Sequence, residues 1–128
     1  MTPELPPVAR LLGASPRRLD LEKGELEVDY LADAGFANPA GAIQGGMLGA
    51  MLDDVTASLV TAALPAGERC ATLNLNLSFL RPALPGPLSG HAQLERRGRE
   101  IVFVSGRLLQ DGKVVATAAA TCTVVRGR

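Results

Sequence analysis

Aromatic side chains and net charge are both scarce in this sequence of 128 residues. It contains no tryptophan, one tyrosine and three phenylalanines, which leaves few rings on which nucleic-acid bases could stack. Its 13 Lys and Arg residues balance 13 Asp and Glu residues, so the formal net charge is zero. Because nucleic-acid-binding proteins normally carry a basic excess, we expect no nucleic-acid partner. Weak charge repulsion also favours self-association.

Side chains that bind metals are few as well. His91 is the only histidine, and Cys70 and Cys122 lie far apart and outside any CxxC unit. A zinc site of ordinary composition needs about four ligands, so we expect no metal. The two cysteines are interpreted as buried thiols in strands.

Long uninterrupted apolar segments are missing. The start, Met1-Thr2-Pro3, is not a basic segment followed by an apolar run, so no secretory signal is predicted. The most apolar segment, residues 43–64, contains three glycines and two aspartates and makes a poor membrane span. We expect a cytoplasmic protein with no membrane partner, formed by a single domain over residues 1–128.

The first half of the chain has a regular order of predicted elements. A short helix is expected over residues 4–13, followed by strands over 17–22 and 25–31. Residues 32–41 are rich in turn-forming Asp, Gly, Asn and Pro and predict a loop. Residues 44–64 then predict one long helix.

The second half of the chain predicts strands without another helix. They are expected over residues 70–80, 87–97, 100–110 and 113–125. Turn signals at Arg97-Gly98 and Asp111-Gly112 predict hairpins. Strict alternation over residues 72–79 predicts that the leucines and Phe79 share one face of their strand. These elements predict an α+β fold with a long helix on an antiparallel sheet.

The long helix has two contrasting faces. A step of about 100° per residue predicts a core face formed by Met47, Leu48, Met51, Leu52, Val55, Leu59 and Ala62. The other face carries small side chains and one carboxylate, and consists of Gly45, Gly46, Gly49, Asp53, Thr56 and Ala57. A carboxylate in such a place is costly to desolvate unless it has a task or a partner. We therefore interpret Asp53 as functional and Asp54 as a solvated or hydrogen-bonded flank, the alternative being two merely exposed acids.

The start of this helix is a candidate site for negative charge. Free N–H groups at residues 43–46 could stabilise the oxyanion that forms when water attacks a thioester. Gly45 and Asp53 are eight residues apart, about 12 Å along a helix. One carbonyl cannot contact both in the same chain, so a shared site requires two copies of the chain. An isologous dimer with antiparallel helices would form two equivalent sites.

The motifs around this helix resemble those of a known family. They are Asn38-Pro39-Ala40-Gly41-Ala42-Ile43-Gln44-Gly45-Gly46 with Asp53, and later 72–76, 79–83, 86–88, 97–101 and 111–116. Together they are similar to hotdog-fold acyl-CoA thioesterases of the phenylacetic-acid-degradation (PaaI-like) group, within the 4-hydroxybenzoyl-CoA thioesterase superfamily. The resemblance implies a hotdog fold, in which a long central helix is wrapped by a curved antiparallel sheet of five to six strands. It also implies homodimers with a continuous sheet, commonly paired into tetramers.

The resemblance also implies roles for individual residues. Gly45 would supply the N–H that polarises the thioester carbonyl, and Asn38 would help to hold the catalytic water or the substrate. Asp53 matches the catalytic acid of the family, and Thr72 matches a hydroxyl that orients the acid or the water. Gln44 stands where the family usually has His, and it can donate a hydrogen bond but cannot shuttle a proton.

Further residues are candidates for substrate contact. Gly46, Thr56 and Ala57 would lie beside the substrate; Ala57 stands where the family often has Ser or Thr. Arg81 and the turn containing Arg97 and Arg99 could meet coenzyme A phosphates, or the turn could simply be a solvated hairpin. His91 is interpreted as a surface or hydrogen-bonded strand residue.

The predicted function is hydrolysis of an acyl-CoA to a free acid and CoA, with Asp53 as general base or nucleophile. No cofactor is expected beyond the CoA of the substrate. The alternative is a hotdog protein that binds acyl-CoA without turning it over, which the Gln44 substitution favours. A dehydratase would need a catalytic histidine in a loop, and His91 is predicted in a strand. The acyl group is left open between a medium aliphatic chain and an aryl-acetyl group.

Overall fold

The computed structural model describes residues 5–127 and confirms the predicted order of elements. The helices are α1 (Pro7–Leu11) and α2 (Gly45–Ala63), with a 3-10 turn at Ala34–Phe36. The strands are β1 (Ser15–Asp20), β2 (Glu25–Ala32), β3 (Glu68–Phe79), β4 (Gly86–Arg97), β5 (Ile101–Gln110) and β6 (Lys113–Arg126). Helix α1 is shorter than the predicted 4–13, and the first residue of that prediction lies outside the described residues.

The six strands form one antiparallel sheet in the order β1-β2-β4-β5-β6-β3. Strands β1 and β3 are its edges. The β5–β6 turn has positive φ at Asp111 (53°) and Gly112 (77°), as the predicted two-residue hairpin requires. Helix α2 packs on β2, β3, β4, β5 and β6, so the predicted α+β fold is confirmed.

The core lies between α2 and the inner face of the sheet. Met51, Leu52 and Val55 are fully buried, as is Leu59 one turn later. Each such side chain contributes about 1.5–3 kcal/mol of hydrophobic free energy when it leaves water. The predicted core face is therefore largely confirmed, and burial of this face positions the helix on the sheet.

The helix buries a wider arc than its sequence predicted. Thr56 is fully buried, since its methyl faces Gly106 on β5; its hydroxyl is satisfied by donation to the Leu52 carbonyl at 2.8 Å. Gly49 is buried beneath the Leu77 side chain of β3. Ala62 is exposed instead of buried. The predictions for Thr56 and Ala62 were wrong, because the buried arc reaches Gly49, which lies beneath β3, and Thr56, which lies against β5.

A β-bulge in β3 breaks the predicted alternation. The pairing of β3 with β6 shifts register between Thr72 and Asn74. Leu75 and Leu77 pack on the core as predicted, but Leu73 is 60% exposed. The extra residue changes the parity of the strand, so Thr72 faces α2 and Leu73 does not. The bulge thus places a hydroxyl, rather than a leucine, beside the helix.

Candidate active site

Asp53 and Thr72 meet at the edge of the sheet. Asp53 is half-buried on α2, and the Thr72 hydroxyl donates a hydrogen bond to its Oδ1 at 2.9 Å. Thr72 itself is exposed in the single chain. One carboxylate oxygen of Asp53 is therefore held by a neutral donor, while Asp53 stays open to the edge of β3. An acid that must reach a substrate requires this arrangement.

Asp54 faces a different environment, on the inner side of β2. The buried Tyr30 donates a hydrogen bond to Asp54 Oδ2 at 2.5 Å. Burial raises the pKa of Asp54 above its ordinary value, the Tyr30 hydrogen bond opposes this, and the Asp53 charge adds to it. Burial, with the hydrogen bond to Asp54, also raises the pKa of Tyr30. Asp54 is thus the hydrogen-bonded flank that the sequence predicted.

The start of α2 presents unpaired N–H groups. Gln44 precedes the helix, is exposed, and makes no capping hydrogen bond with its side chain. Its backbone is held by the bond from its N–H to the Phe36 carbonyl at 2.9 Å, and Ile43 N–H donates to Ala83 at 2.8 Å. Within the described residues, the N–H groups of Gly45 and Gly46 donate to no backbone carbonyl outside the helix. These groups form the positive end of the helix dipole.

The Asn38 side chain orders the loop before the helix. Its Oδ1 accepts from Ala40 N–H at 2.9 Å and from Ala42 N–H at 3.2 Å. Asn38, Gly45 and Arg81 line a cleft of about 420 Å³ together with Phe79. The Phe79 ring lies 3.2 Å from where a Cβ at Gly45 would be, so the glycine allows this close approach. Asn38 therefore has a clear structural role in the single chain.

The chain divides the predicted site residues between two places along β3. One place is near Phe79, where β3 ends. The start of α2 lies there, with Gln44, Gly45 and Gly46, and so do Asn38 and Arg81. Asp53 and Ala57 lie further along α2, with Thr72 beside Asp53. Arg97 and Arg99 are exposed in the β4–β5 hairpin, at the opposite end of the sheet from Phe79. Buried Thr56 cannot offer its side chain to a substrate in this structure.

A second cleft, of about 740 Å³, opens beside Asp53. It lies between α1, β1, β2 and α2, and Asp54 and Ala57 are also in its wall. Its other walls are mainly apolar, from Leu5, Pro6, Val8, Ala9, Ala14, Pro16, Leu26, Val28 and Ala50. The sequence did not predict this cleft, because its walls come from segments far apart in the chain.

Sequence reasoning missed two neighbours of the acids. Tyr30 was assigned only to a strand, although a lone tyrosine in an apolar alternation often carries a hydroxyl that needs a partner. Cys122 lies opposite Thr72 in the β3–β6 pairing and is fully buried. No signal in the sequence could have placed it there, since the pairing depends on the bulge.

His91 lies on the outer face of the sheet. Its Nε2 is 3.1 Å from the Ser89 hydroxyl, and its Nδ1 is 3.8 Å from a Glu27 carboxylate oxygen. Partial burial is the largest cause that lowers its pKa below the ordinary value. These contacts agree with its interpretation as a hydrogen-bonded strand residue.

Over residues 5–127, no group of three or more His, Cys, Asp or Glu side chains could hold a metal ion. In the same part of the chain, no helix has the length and apolar character needed to cross a membrane.

Comparison with known proteins identifies the family. A model of the acyl-CoA thioesterase N-terminal domain matches residues 34–123. The chain therefore belongs to the acyl-CoA thioesterase family, and it is a PaaI-like thioester hydrolase with the hotdog fold.

Solved structures agree with this assignment. A phenylacetic acid degradation-related protein from Ralstonia eutropha JMP134 is 63% identical, with 94% of this chain and 92% of that one covered at a TM-score of 0.93. A Bacillus halodurans protein solved with CoA is 25% identical, with 94% and 80% covered and a TM-score of 0.84. The PaaI protein of Escherichia coli is 23% identical, with 93% and 84% covered and a TM-score of 0.84, and shows the likeness of fold.

Proposed function

We propose that the chain hydrolyses acyl-CoA thioesters in a site shared by two copies, with Asp53 as the catalytic carboxylate. The observation that carries this proposal is the hydrogen bond from Thr72 to Asp53 at the exposed edge of β3. The bond orients the carboxylate and leaves it accessible from that edge. The free N–H groups of α2 border the same strand, near Phe79.

The edge strand β3 offers a way to bring the two halves together. Thr72 marks the position of Asp53 along β3, and Phe79 marks the position of Gly45. If the β3 strands of two copies pair antiparallel about an axis between Leu75 and Asn76, Thr72 of each copy lies opposite Phe79 of the other. That register brings Asp53 of one copy toward Gly45 of its mate. It would also bring Arg81 toward the hairpin that carries Arg97 and Arg99.

The chemistry follows from these groups. Asp53 takes a proton from water as the water attacks the thioester carbon, and the Gly45 N–H stabilises the resulting oxyanion. Collapse of this intermediate breaks the C–S bond, and the CoA sulfur leaves and takes up a proton. In the alternative route, Asp53 attacks the thioester carbon, the C–S bond breaks and CoA leaves as the thiolate, and water then hydrolyses the resulting anhydride. Gln44 and Asn38 would orient the substrate and the water through their amide groups.

The apolar cleft beside Asp53 suits the acyl group. Its walls are mainly aliphatic, and its carboxylates, Asp53 and Asp54, would repel an anionic acyl group. An uncharged aliphatic or aryl-acetyl group fits these walls. Ala57→Phe should narrow the cleft and lower kcat/KM for long acyl chains more than for acetyl-CoA. An equal loss for all chain lengths would mean that the acyl group binds elsewhere.

The central test is the Asp53→Asn variant, assayed by thiol detection against a panel of aliphatic and aryl acyl-CoAs. We expect loss of CoA release by at least a hundredfold, with the oligomer intact. Asp54→Asn is the matched comparison, because the new amide oxygen at position 54 still accepts the Tyr30 hydrogen bond; it should retain far more CoA release than Asp53→Asn. Full activity in Asp53→Asn would reject the mechanism.

The shared site has its own test. Asn76→Lys places two like charges near the proposed axis, so it should separate the copies and abolish CoA release. Glu22→Lys, in the exposed turn between β1 and β2, is the control and should change neither property. Sedimentation velocity measures the assembly. A fully active single-chain species would show that the site does not need two copies.

Gln44 favours a second candidate, a protein that binds acyl-CoA without hydrolysis. Its exposed side chain cannot exchange a proton with the leaving sulfur. Calorimetric binding of the same acyl-CoA panel without thiol release would support this candidate. Thiol release would exclude it.

A further inference from the structure

The segment between β3 and β4 is fixed near its end by one side chain. Gln110, the last residue of β5, accepts a hydrogen bond from the Leu84 N–H at 2.9 Å through Oε1, and its Nε2 donates to the Leu84 carbonyl at 2.8 Å. The same Nε2 donates to the Pro87 carbonyl at 3.3 Å. The amide of Gln110 thus pairs with both backbone groups of Leu84, as a neighbouring strand would. Because the Leu84 side chain is 58% exposed, this pairing, rather than burial, holds the residue.

The start of the same segment is fixed by the backbone of β6. Val115 is skipped in the pairing of β6 with β5. Its carbonyl accepts hydrogen bonds from the Leu80 N–H at 2.8 Å and from the Arg81 N–H at 3.2 Å. The β5–β6 hairpin therefore holds residues 80–84 at both ends, and the end with Arg81 does not depend on Gln110.

The middle of this segment sets the position of the start of α2. Ala83 is 1% exposed, and its carbonyl accepts the hydrogen bond from the Ile43 N–H at 2.8 Å. Ile43 is itself buried and stands two residues before Gly45, the first residue of α2. Leu84, which Gln110 holds, follows Ala83 directly. A continuous path of hydrogen bonds and one peptide link therefore runs from Gln110 to the start of α2.

We propose that Gln110 is a positioning residue for the thioester reaction: its amide keeps the Ala83 carbonyl in place and thereby fixes the N–H of Gly45. This rests on the proposed function, in which that N–H stabilises the oxyanion. Such a donor is effective only when it is fixed in advance where the charge develops, and a displacement of about 1 Å can cost about a hundredfold in rate. Arg81 keeps its own bond to Val115, so binding of the substrate should not depend on Gln110.

The test removes the amide and separates kcat from KM. Gln110→Met keeps an unbranched side chain without the amide donor and acceptor, so kcat for CoA release should fall about tenfold at unchanged KM. If this variant does not fold, Gln110→Glu replaces it: the carboxylate still accepts from the Leu84 N–H but repels the carbonyls of Leu84 and Pro87, and the loss should be at least as large. An unchanged kcat in the folded variant, or a change in KM alone, would overturn the proposal.

Gln93 on β4 is the matched control. Its Nε2 donates to the Lys23 carbonyl at 2.9 Å and so holds the turn between β1 and β2, which contains none of the proposed site residues. Gln93→Met should lower the midpoint of thermal unfolding, as Gln110→Met does, while kcat stays unchanged. If both variants lower kcat to the same extent, the effect of Gln110 is one of general stability and the positioning role is wrong.

Amide hydrogen exchange followed by NMR reports on the path itself. The Ile43 N–H should exchange faster in Gln110→Met than in the wild type, because its acceptor is no longer fixed. The Leu94 N–H, which donates to the Gly24 carbonyl at 2.8 Å, should exchange at the same rate in both proteins. Faster exchange at Ile43 with full kcat, or a loss of kcat with unchanged exchange at Ile43, would contradict the proposed path.

Asp53→Asn distinguishes the two levels of argument. If that variant is inactive while Gln110→Met keeps full kcat, only the positioning role fails. A fully active Asp53→Asn rejects the proposed function and the positioning role together.

Discussion

The phenolic hydroxyl of Tyr30 donates a hydrogen bond of 2.5 Å to Asp54, the residue next to Asp53. Asp53 is bonded instead by Thr72, from the other side of the helix. Two consecutive carboxylates thus have different partners on different strands. This separation explains how one can be available for chemistry while its neighbour stabilises the packing of α2 on β2.

Removal of the phenolic hydroxyl should weaken the fold. Tyr30→Phe keeps the buried ring but leaves Asp54 without its donor, so the free energy of unfolding should fall by about 1.5–3 kcal/mol. Urea unfolding followed by circular dichroism measures this change. An unchanged midpoint would mean that water replaces the hydroxyl at no cost.

The stability of the protein should depend on the ionisation of Asp54. Burial raises the pKa of Asp54 in the folded state, so the folded protein holds this proton more tightly than the unfolded chain does. Its contribution to stability is therefore fully present below the unfolded pKa and is lost as the pH rises through the folded pKa. Asp54→Asn removes this dependence and should unfold at higher urea concentration than the wild type at pH 7. If the urea midpoints of the wild type and of Asp54→Asn changed with pH in the same way, this prediction would be contradicted.

Gln44 offers a test of the residue that differs from the family pattern. Its exposed side chain makes no capping bond, so neither Gln44→Ala nor Gln44→His should change stability by more than about 0.5 kcal/mol. We expect Gln44→Ala to lower kcat/KM about tenfold, because the proposed donor to the thioester carbonyl is lost. Gln44→His should retain activity and add a pH dependence near an imidazole pKa of about 6.5. A pH–rate profile of each variant measures the loss of kcat/KM in Gln44→Ala and the added pH dependence in Gln44→His.

The close contact between Gly106 and Thr56 should make that glycine sensitive to substitution. A Cβ at Gly106 would lie 2.9 Å from the Thr56 methyl and 3.4 Å from the His91 carbonyl. The methyl cannot easily move, because the Thr56 hydroxyl is bonded to the Leu52 carbonyl. Gly106→Ala should therefore destabilise the fold by about 1–3 kcal/mol in urea unfolding. Gly46→Ala is the control, since nothing lies within 4 Å of its added methyl.

The sequence predicted the fold more completely than the surroundings of the site. Alternation and turn residues located all six strands to within about three residues, because these signals act between near neighbours in the chain. The two faces of α2 were predicted from a straight helical wheel, which failed at Thr56 and Ala62. Burial of Thr56 depends on its contact with Gly106 of β5, which is far away in the chain, and a helical wheel contains no information about the sheet.

The roles of Asp53, Gly45, Gln44, Asn38 and Thr72 stay predictions, although the structure adds to them. It brings Thr72 to Asp53 and orders the loop with Asn38. It leaves Gly45 near Phe79, where β3 ends, and thus away from Thr72 along that strand.

By itself, the sequence determined the order of helices and strands, the hairpins and the adjacency of Asp53 and Asp54. These features follow from local periodicity and from the backbone preferences of turn residues. Only the tertiary structure decided that Asp54 meets Tyr30, and only it showed how Thr72 reaches Asp53. A single extra residue in β3 turns Thr72 inward and Leu73 outward. That bulge depends on the pairing of β3 with β6 over a separation of about fifty residues, so no local pattern could reveal it.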